Sequence, residues 1–128
     1  MDMKKVIKTT KAPAPIGPYN QAILVDNTLY ASGQIALNPK TMELVNENIQ
    51  AETTQVMKNL SEVLKAAGMD FTNVVKATIY LADMGDFVLV NEVYGGYFND
   101  DDAPARETVQ VAQLPKNVRV EISVIAIL

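Results

Sequence analysis

Arg106 and Glu121, set in two strand-like stretches between Pro104 and Leu128, are the side chains of this sequence best suited to chemistry. A guanidinium fork matches a carboxylate bidentately, and a glutamate can hold or partly deprotonate a water. There is no His and no Cys, which removes the usual general base, the usual thiol nucleophile and the commonest transition-metal ligands. Any chemistry must therefore run on carboxylate, hydroxyl, guanidinium and backbone groups, and neither metal nor cofactor is expected. Strand periodicity places Arg106 and Glu121 on one sheet face, as a site for a small anion and a water would require.

Further candidates surround this pair. Arg106, Thr108 and Gln110 share a face by alternation, with Ala105, Glu107, Val109 and Val111 on the other. Tyr19 follows a proline-stiffened loop that can project its phenol into a pocket, although a tyrosine after Gly-Pro also serves simple packing. In Ser32-Gly33-Gln34 the glycine permits close approach of a ligand to the backbone, or marks an ordinary turn or bulge. Asn91 stands beside the apolar stripe of a helix, where its amide can cap local backbone or reach a site. Arg106 has the bland alternative of a pair with a surface carboxylate, and for Glu121 the residues alone favour an i,i+2 pair with Arg119 on a solvated face. The run Asn99–Asp102 lacks the Gly and terminal Glu of a calcium loop and reads as a solvated turn. No phosphate-binding glycine loop, nucleophile elbow or zinc spacing is present.

The elements that must position these groups follow from pattern. Lys4 to Thr9 is β-compatible, and Ala12–Tyr19 is an extended, proline-rich loop. Gln21–Val25 and Thr28–Ser32 flank a turn at Asp26-Asn27 and make a hairpin; Asn38–Thr41 is another turn. Val56, Met57, Leu60, Val63, Leu64 and Ala67 recur at helical spacing over Ile49–Ala67, and Gly68 supplies the stop. Val74–Leu81 is a strand, and Asp83 or Asp86 caps a second helix through Phe87, Val90, Tyr94 and Tyr97, weakened by Gly95-Gly96. Strands at Ala105–Ala112 and Val118–Ile127 flank the turn Leu114–Asn117. If these two pair directly, Thr108 lies opposite Ser123 and Arg106 opposite Ile125, with Arg106 and Glu121 offset by roughly 13 Å along the strand.

The order β-β-β-α-β-α-β-β predicts an α+β domain with a sheet and two helices packed on one face. In the last strand the even positions from Val118 to Leu128 are all apolar and face the helices. The odd face carries Arg119, Glu121, Ser123, Ile125 and Ile127, a mixture that asks for a second cover, and another subunit is the economical source.

A chain of 128 residues fits one domain, spanning 1–128, without disulfides or metal. With 48% apolar residues and a net charge of -4, it has the composition of a soluble globular protein with little electrostatic incentive to bind a phosphate backbone, so neither nucleic acid nor membrane is expected as a partner. The opening Met-Asp-Met-Lys-Lys is followed by no apolar h-region, and no apolar run is long enough to span a bilayer. Together with the absence of Cys this suggests a cytoplasmic protein.

Seven short segments, in order, resemble the RidA/YjgF family of imine deaminases along nearly the whole chain: Ala14-Pro-Ile-Gly-Pro-Tyr19, Ala31-Ser-Gly-Gln-Ile35, Val75-Lys-Ala-Thr78, Val90-Asn-Glu-Val-Tyr94, Pro104-Ala-Arg106, Val111-Ala-Gln-Leu-Pro115 and Val120-Glu-Ile122. The resemblance implies a chorismate-mutase-like fold and a homotrimer with a central β-barrel and sites in the clefts between subunits. It also implies hydrolysis of reactive 2-enamine/2-imine acids, released by pyridoxal-phosphate-dependent serine and threonine dehydratases, to 2-keto acids and ammonia. On the matching positions, Arg106 clamps the substrate carboxylate, Glu121 holds the attacking water, and Tyr19, Ser32, Gly33 and Asn91 complete the pocket. Many members read Arg-Ser-Cys-Val where this chain has Arg106-Glu-Thr-Val109. Thr108 can preserve a backbone N–H contact without the thiol, and Glu107 points to the opposite face from Arg106.

The leading expectation is therefore a 2-iminobutanoate/2-iminopropanoate deaminase. A non-catalytic 2-keto-acid-binding regulatory protein would use the same cleft. An endoribonuclease or translation inhibitor fits less well with the acidic charge and the lack of histidine.

Overall fold

The structure, a computed structural model, describes residues 3–128; Met1 and Asp2 of the charged N-terminal pentapeptide lie outside the described residues. Eight regular elements form: β1 (Lys5–Ile7), β2 (Ala22–Val25), β3 (Thr28–Gln34), α1 (Ile49–Ala66), β4 (Val74–Leu81), α2 (Phe87–Gly95), β5 (Ala105–Gln110) and β6 (Val120–Ile127). Asn48 starts α1 by accepting a hydrogen bond from Ala51 N–H at 2.8 Å, and Gly68, at φ 75°, lets the chain turn out of it. In α2, Asp86 makes no side-chain cap; Asp83 instead caps the short 3-10 turn Met84–Asp86. Tyr97 falls beyond the helix end, after the two glycines.

The strands make one six-stranded sheet in the order β1-β2-β3-β6-β4-β5. All neighbours are antiparallel except β4 and β5, which run parallel with α2 in the crossover between them. This corrects the expected pairing of the last two strands. β6 pairs with β3 on one side and β4 on the other, so β4 lies between β5 and β6. Thr108 stands beside Ile79, and Arg106 beside Ala77. The segment joining β5 to β6 is too long for a tight hairpin: it leaves the sheet, places Leu114 and Val118 as buried anchors, and re-enters two strands away.

One face of the sheet carries the core. Val120, Ile122, Val124 and Ala126 of β6 pack with Ala77, Ile79 and Leu81 of β4 against Val56, Met57, Leu60, Val63 and Leu64 of α1 and Val90 and Tyr94 of α2. Burial alternates along β6 as expected, although Leu128 is exposed. The helices cover this face, so a charge inside it must be paired. Glu52, 1% exposed, accepts from Arg119 Nε at 2.7 Å and from its backbone N–H at 2.8 Å, and Arg119 also donates to the Asn46 carbonyl. Arg119 is thus committed to α1 and is not the partner of Glu121.

The other face is open. Register aligns Val6, Tyr30, Ile125, Lys76 and Val109 with Glu121 and Ser123 on it. Val6, Tyr30, Val109 and Ile127 are all exposed there. Among the described residues no helix is long and apolar enough to cross a membrane.

Candidate active site

The β3–β6 pairing slips by one residue between Ala31 and Gln34. Such a bulge bends the strand and re-aims side chains. Gly33 sits in it, and the Glu121 carboxyl group lies directly across its Cα, where a Cβ would overlap it. Close approach, not φ, is what keeps a glycine beside the carboxylate in this position. Glu121 is half-buried, makes no ion pair among the described residues, and burial holds its carboxyl above the usual glutamate range. Because the added Cβ meets only the far end of the Glu121 side chain, Gly33→Ala is expected to push the carboxylate aside and lower activity about tenfold or more with little loss of stability; steady-state kinetics and thermal melts check this.

Around Glu121 opens a cavity of about 420 Å³, lined by Tyr19, Ser32, Gly33, Gln34, Pro115 and Lys116 among others. Tyr19 reaches it because its loop is pinned by buried Gln21. The Gln21 amide accepts from Thr9 N–H at 2.8 Å and donates to the carbonyls of Thr9, Ala12 and Pro13 at 3.0, 3.3 and 2.8 Å. The Tyr19 hydroxyl oxygen accepts from Ile16 N–H at 3.3 Å, leaving its own proton to donate. Ser32 donates its hydroxyl to the Asn20 carbonyl at 2.6 Å, so it braces the loop while its lone pairs stay free.

Arg106 lies elsewhere. On β5, in register with Ala77 of the core face, it points to the helix side of the sheet, opposite to Glu121. Its guanidinium donates to Asn91 Oδ1 at 2.6 Å and stands 5.7 Å from the Phe87 ring centroid and 5.1 Å from that of Tyr94. These contacts from α2 hold the fork in place while its remaining donors stay exposed. Asn91, Tyr94, Pro104 and Arg106 line a second cavity of about 410 Å³. Thr108 shares this sheet face; its hydroxyl is buried with no hydrogen-bond partner among the described residues, as is that of Tyr94. Burial raises the Tyr94 phenol above its usual range, with the Arg106 charge opposing.

The expectation that Arg106 and Glu121 share a face is thereby overturned. Alternation along each strand is as read, but the register through β4 sets Arg106 level with Ala77 and Val124, not with Ile125, which puts it on the core face. Within the chain the candidates divide into two groups: Tyr19, Ser32, Gly33 and Glu121 at the bulge, and Asn91 and Arg106 beyond β5, with Thr108 on that side. Glu107 does face away from Arg106 and pairs with Lys76 at 2.7 Å. Lys116 and Gln21 also line the cavity around Glu121; sequence pattern marks the first only as a turn residue after Leu114-Pro115 and the second only as a glutamine opening a strand. No cluster of three or more His, Cys, Asp or Glu residues that could hold a metal ion is present among the described residues.

This arrangement, a bulged α+β sheet with a carboxylate on its open face and a braced arginine at its parallel edge, defines the class. Residues 9–128 match the family model described as endoribonuclease L-PSP, and the chain belongs to that family. It is 56% identical to the 2-iminobutanoate/2-iminopropanoate deaminase of Mus musculus over 98% of this chain and 92% of the mouse protein. It superimposes with a TM-score of 0.95 on a Rid-family protein of unknown function from Yersinia pestis, 47% identical, covering 98% of this chain and all of that one. A RidA from a Psychrobacter species gives 0.92 at 44% identity, covering 97% and 99%.

Proposed function

We propose that this chain is a 2-iminobutanoate/2-iminopropanoate deaminase that hydrolyses 2-imino acids to 2-keto acids and ammonia in a homotrimer. The observation that carries the reading is the division of the site. A carboxylate suited to holding water and a cation suited to clamping an acid stand on opposite faces of one sheet, so only a neighbouring copy can bring them together. The exposed Val6, Tyr30, Val109 and Ile127 on the open face supply apolar surface for that contact, and sheets facing one another around an axis would make the central barrel. The 56% identity to a deaminase of that name across almost the whole chain supports the reaction.

In the assembled cleft, Arg106 of one subunit takes the substrate carboxylate bidentately, aided by Asn91 and by a backbone N–H near Thr108 on the edge strand β5. Glu121 of the next subunit holds a water against the imine carbon and accepts a proton as the water adds across C=N. The tetrahedral carbinolamine then collapses: Glu121 returns that proton to the nitrogen, the C–N bond breaks, and the freed carboxylate takes the hydroxyl proton as the carbonyl forms, passing it to the departing ammonia, which leaves as ammonium. An iminium carbon is already electrophilic, so positioning and charge stabilisation suffice and no nucleophilic side chain is needed. Tyr19 can donate its phenolic hydrogen to the developing oxygen or nitrogen. The sequence's lack of Cys fits a reducing, cytoplasmic setting.

Coupling the protein to a serine or threonine dehydratase tests this directly. Faster appearance of pyruvate or 2-oxobutanoate and ammonia is expected. Binding of 2-oxobutanoate with no acceleration would select the regulatory-protein reading instead.

A further inference from the structure

Among the described residues, Lys116 and Glu121 are the only charged side chains lining the bulge cavity. A half-buried carboxylate repels an anionic substrate from the place where its water must attack, in a protein whose net charge is already -4. Lys116 is exposed and engaged in no ion pair or side-chain hydrogen bond among the described residues, so its ammonium is not spent on Glu121.

Its backbone is unusual as well. Lys116 and Asn117 both take left-handed conformations, at φ 56°, a region that non-glycine residues enter only when the surroundings impose it, and such residues gather at ligand sites. Here the imposition is visible. Leu114 and Val118 are buried on either side, Asn117 N–H donates to Leu114 O at 3.0 Å and Val118 N–H to Pro115 O at 3.2 Å, and Gln113 Nε2 donates to Asn117 Oδ1 at 2.7 Å. The turn therefore holds the lysine at the cavity wall beside the start of β6.

We propose that Lys116 is the substrate-recruiting cation of the bulge cavity, offsetting the charge of Glu121 and drawing the carboxylate of a 2-imino or 2-keto acid towards it. Arg106 then fixes the carboxylate for reaction. The proposal deepens the deaminase reading and rests on carboxylate ligands entering this cavity.

The test compares binding of 2-oxobutanoate with that of its neutral amide, by calorimetric titration of the assembled protein in low and high salt. Lys116→Met keeps an unbranched side chain and the same backbone demand while deleting the charge. It is expected to weaken 2-oxobutanoate binding about fivefold at low salt, with the difference shrinking at high salt and the amide unaffected. Lys116→Arg is expected to restore the keto-acid affinity. Equal weakening of both ligands, or no change in either, would overturn the proposal. Keto-acid binding that depends on Lys116 in a protein without imine turnover would sink the deaminase reading and leave this one standing.

Discussion

Arg106→Ala is expected to abolish the acceleration of imine hydrolysis while leaving the fold intact. A bidentate carboxylate clamp contributes two charge-assisted hydrogen bonds, together about 3–5 kcal/mol, so kcat/KM falls on the order of 10²- to 10³-fold. The structural cost is smaller. The guanidinium is exposed and makes one side-chain hydrogen bond, to Asn91, with Phe87 and Tyr94 beneath it, and losing such contacts costs about 1 kcal/mol. Dehydratase-coupled kinetics read the first effect, and sedimentation with thermal melting the second. Full activity in a folded Arg106→Ala protein would remove the arginine from the clamp.

Glu121→Gln separates charge from shape. The amide fits beside Gly33 but cannot accept the water's proton, so the rate should drop by on the order of 10²-fold or more. Stability should move the other way. Burial raises the folded-state pKa of Glu121 above its unfolded value, so the carboxyl group favours the fold when protonated, and that contribution is lost as pH rises through the folded pKa. The glutamine variant is therefore expected to be more stable than the parent at neutral pH, with the gap closing below about pH 4.3, the ordinary glutamate value. The parent's kcat/KM should decline on acidification at a pH above that of an unperturbed carboxylate. A variant that loses activity and stability together at neutral pH would show Glu121 to be a structural anchor instead.

Much of this architecture was legible in the sequence because periodicity reports which side of an element is buried. α1 announced itself through Val56, Leu60 and Val63, and the alternation in β6 marked its core face. Neighbours in a sheet are a different matter. Nothing local to Ala105–Gln110 states that it lies parallel to β4, because the partner is chosen by the path of α2 across the sheet and not by the strand's own residues. The register that β4 imposes between β5 and β6 then decides whether Arg106 and Glu121 share a face. The motifs singled out side chains that the structure gathers into two groups, without revealing that the groups lie apart. Glu52 gave a faint sign, a carboxylate one turn before Val56 on the apolar stripe of α1, but its partner Arg119 is 67 positions away, beyond any spacing rule.

The open face of the sheet carries a constraint beyond packing. With the carboxylate on that face and the arginine on the other, the proposed assembly would make the surface that joins copies and the surface that does chemistry one surface. In that assembly Tyr30, Val109 and Ile127, exposed on the open face, would set how far one copy's arginine stands from the next copy's glutamate. Such positions cannot drift as ordinary exterior residues do: on the proposed assembly, selection on turnover is also selection on how the copies fit together.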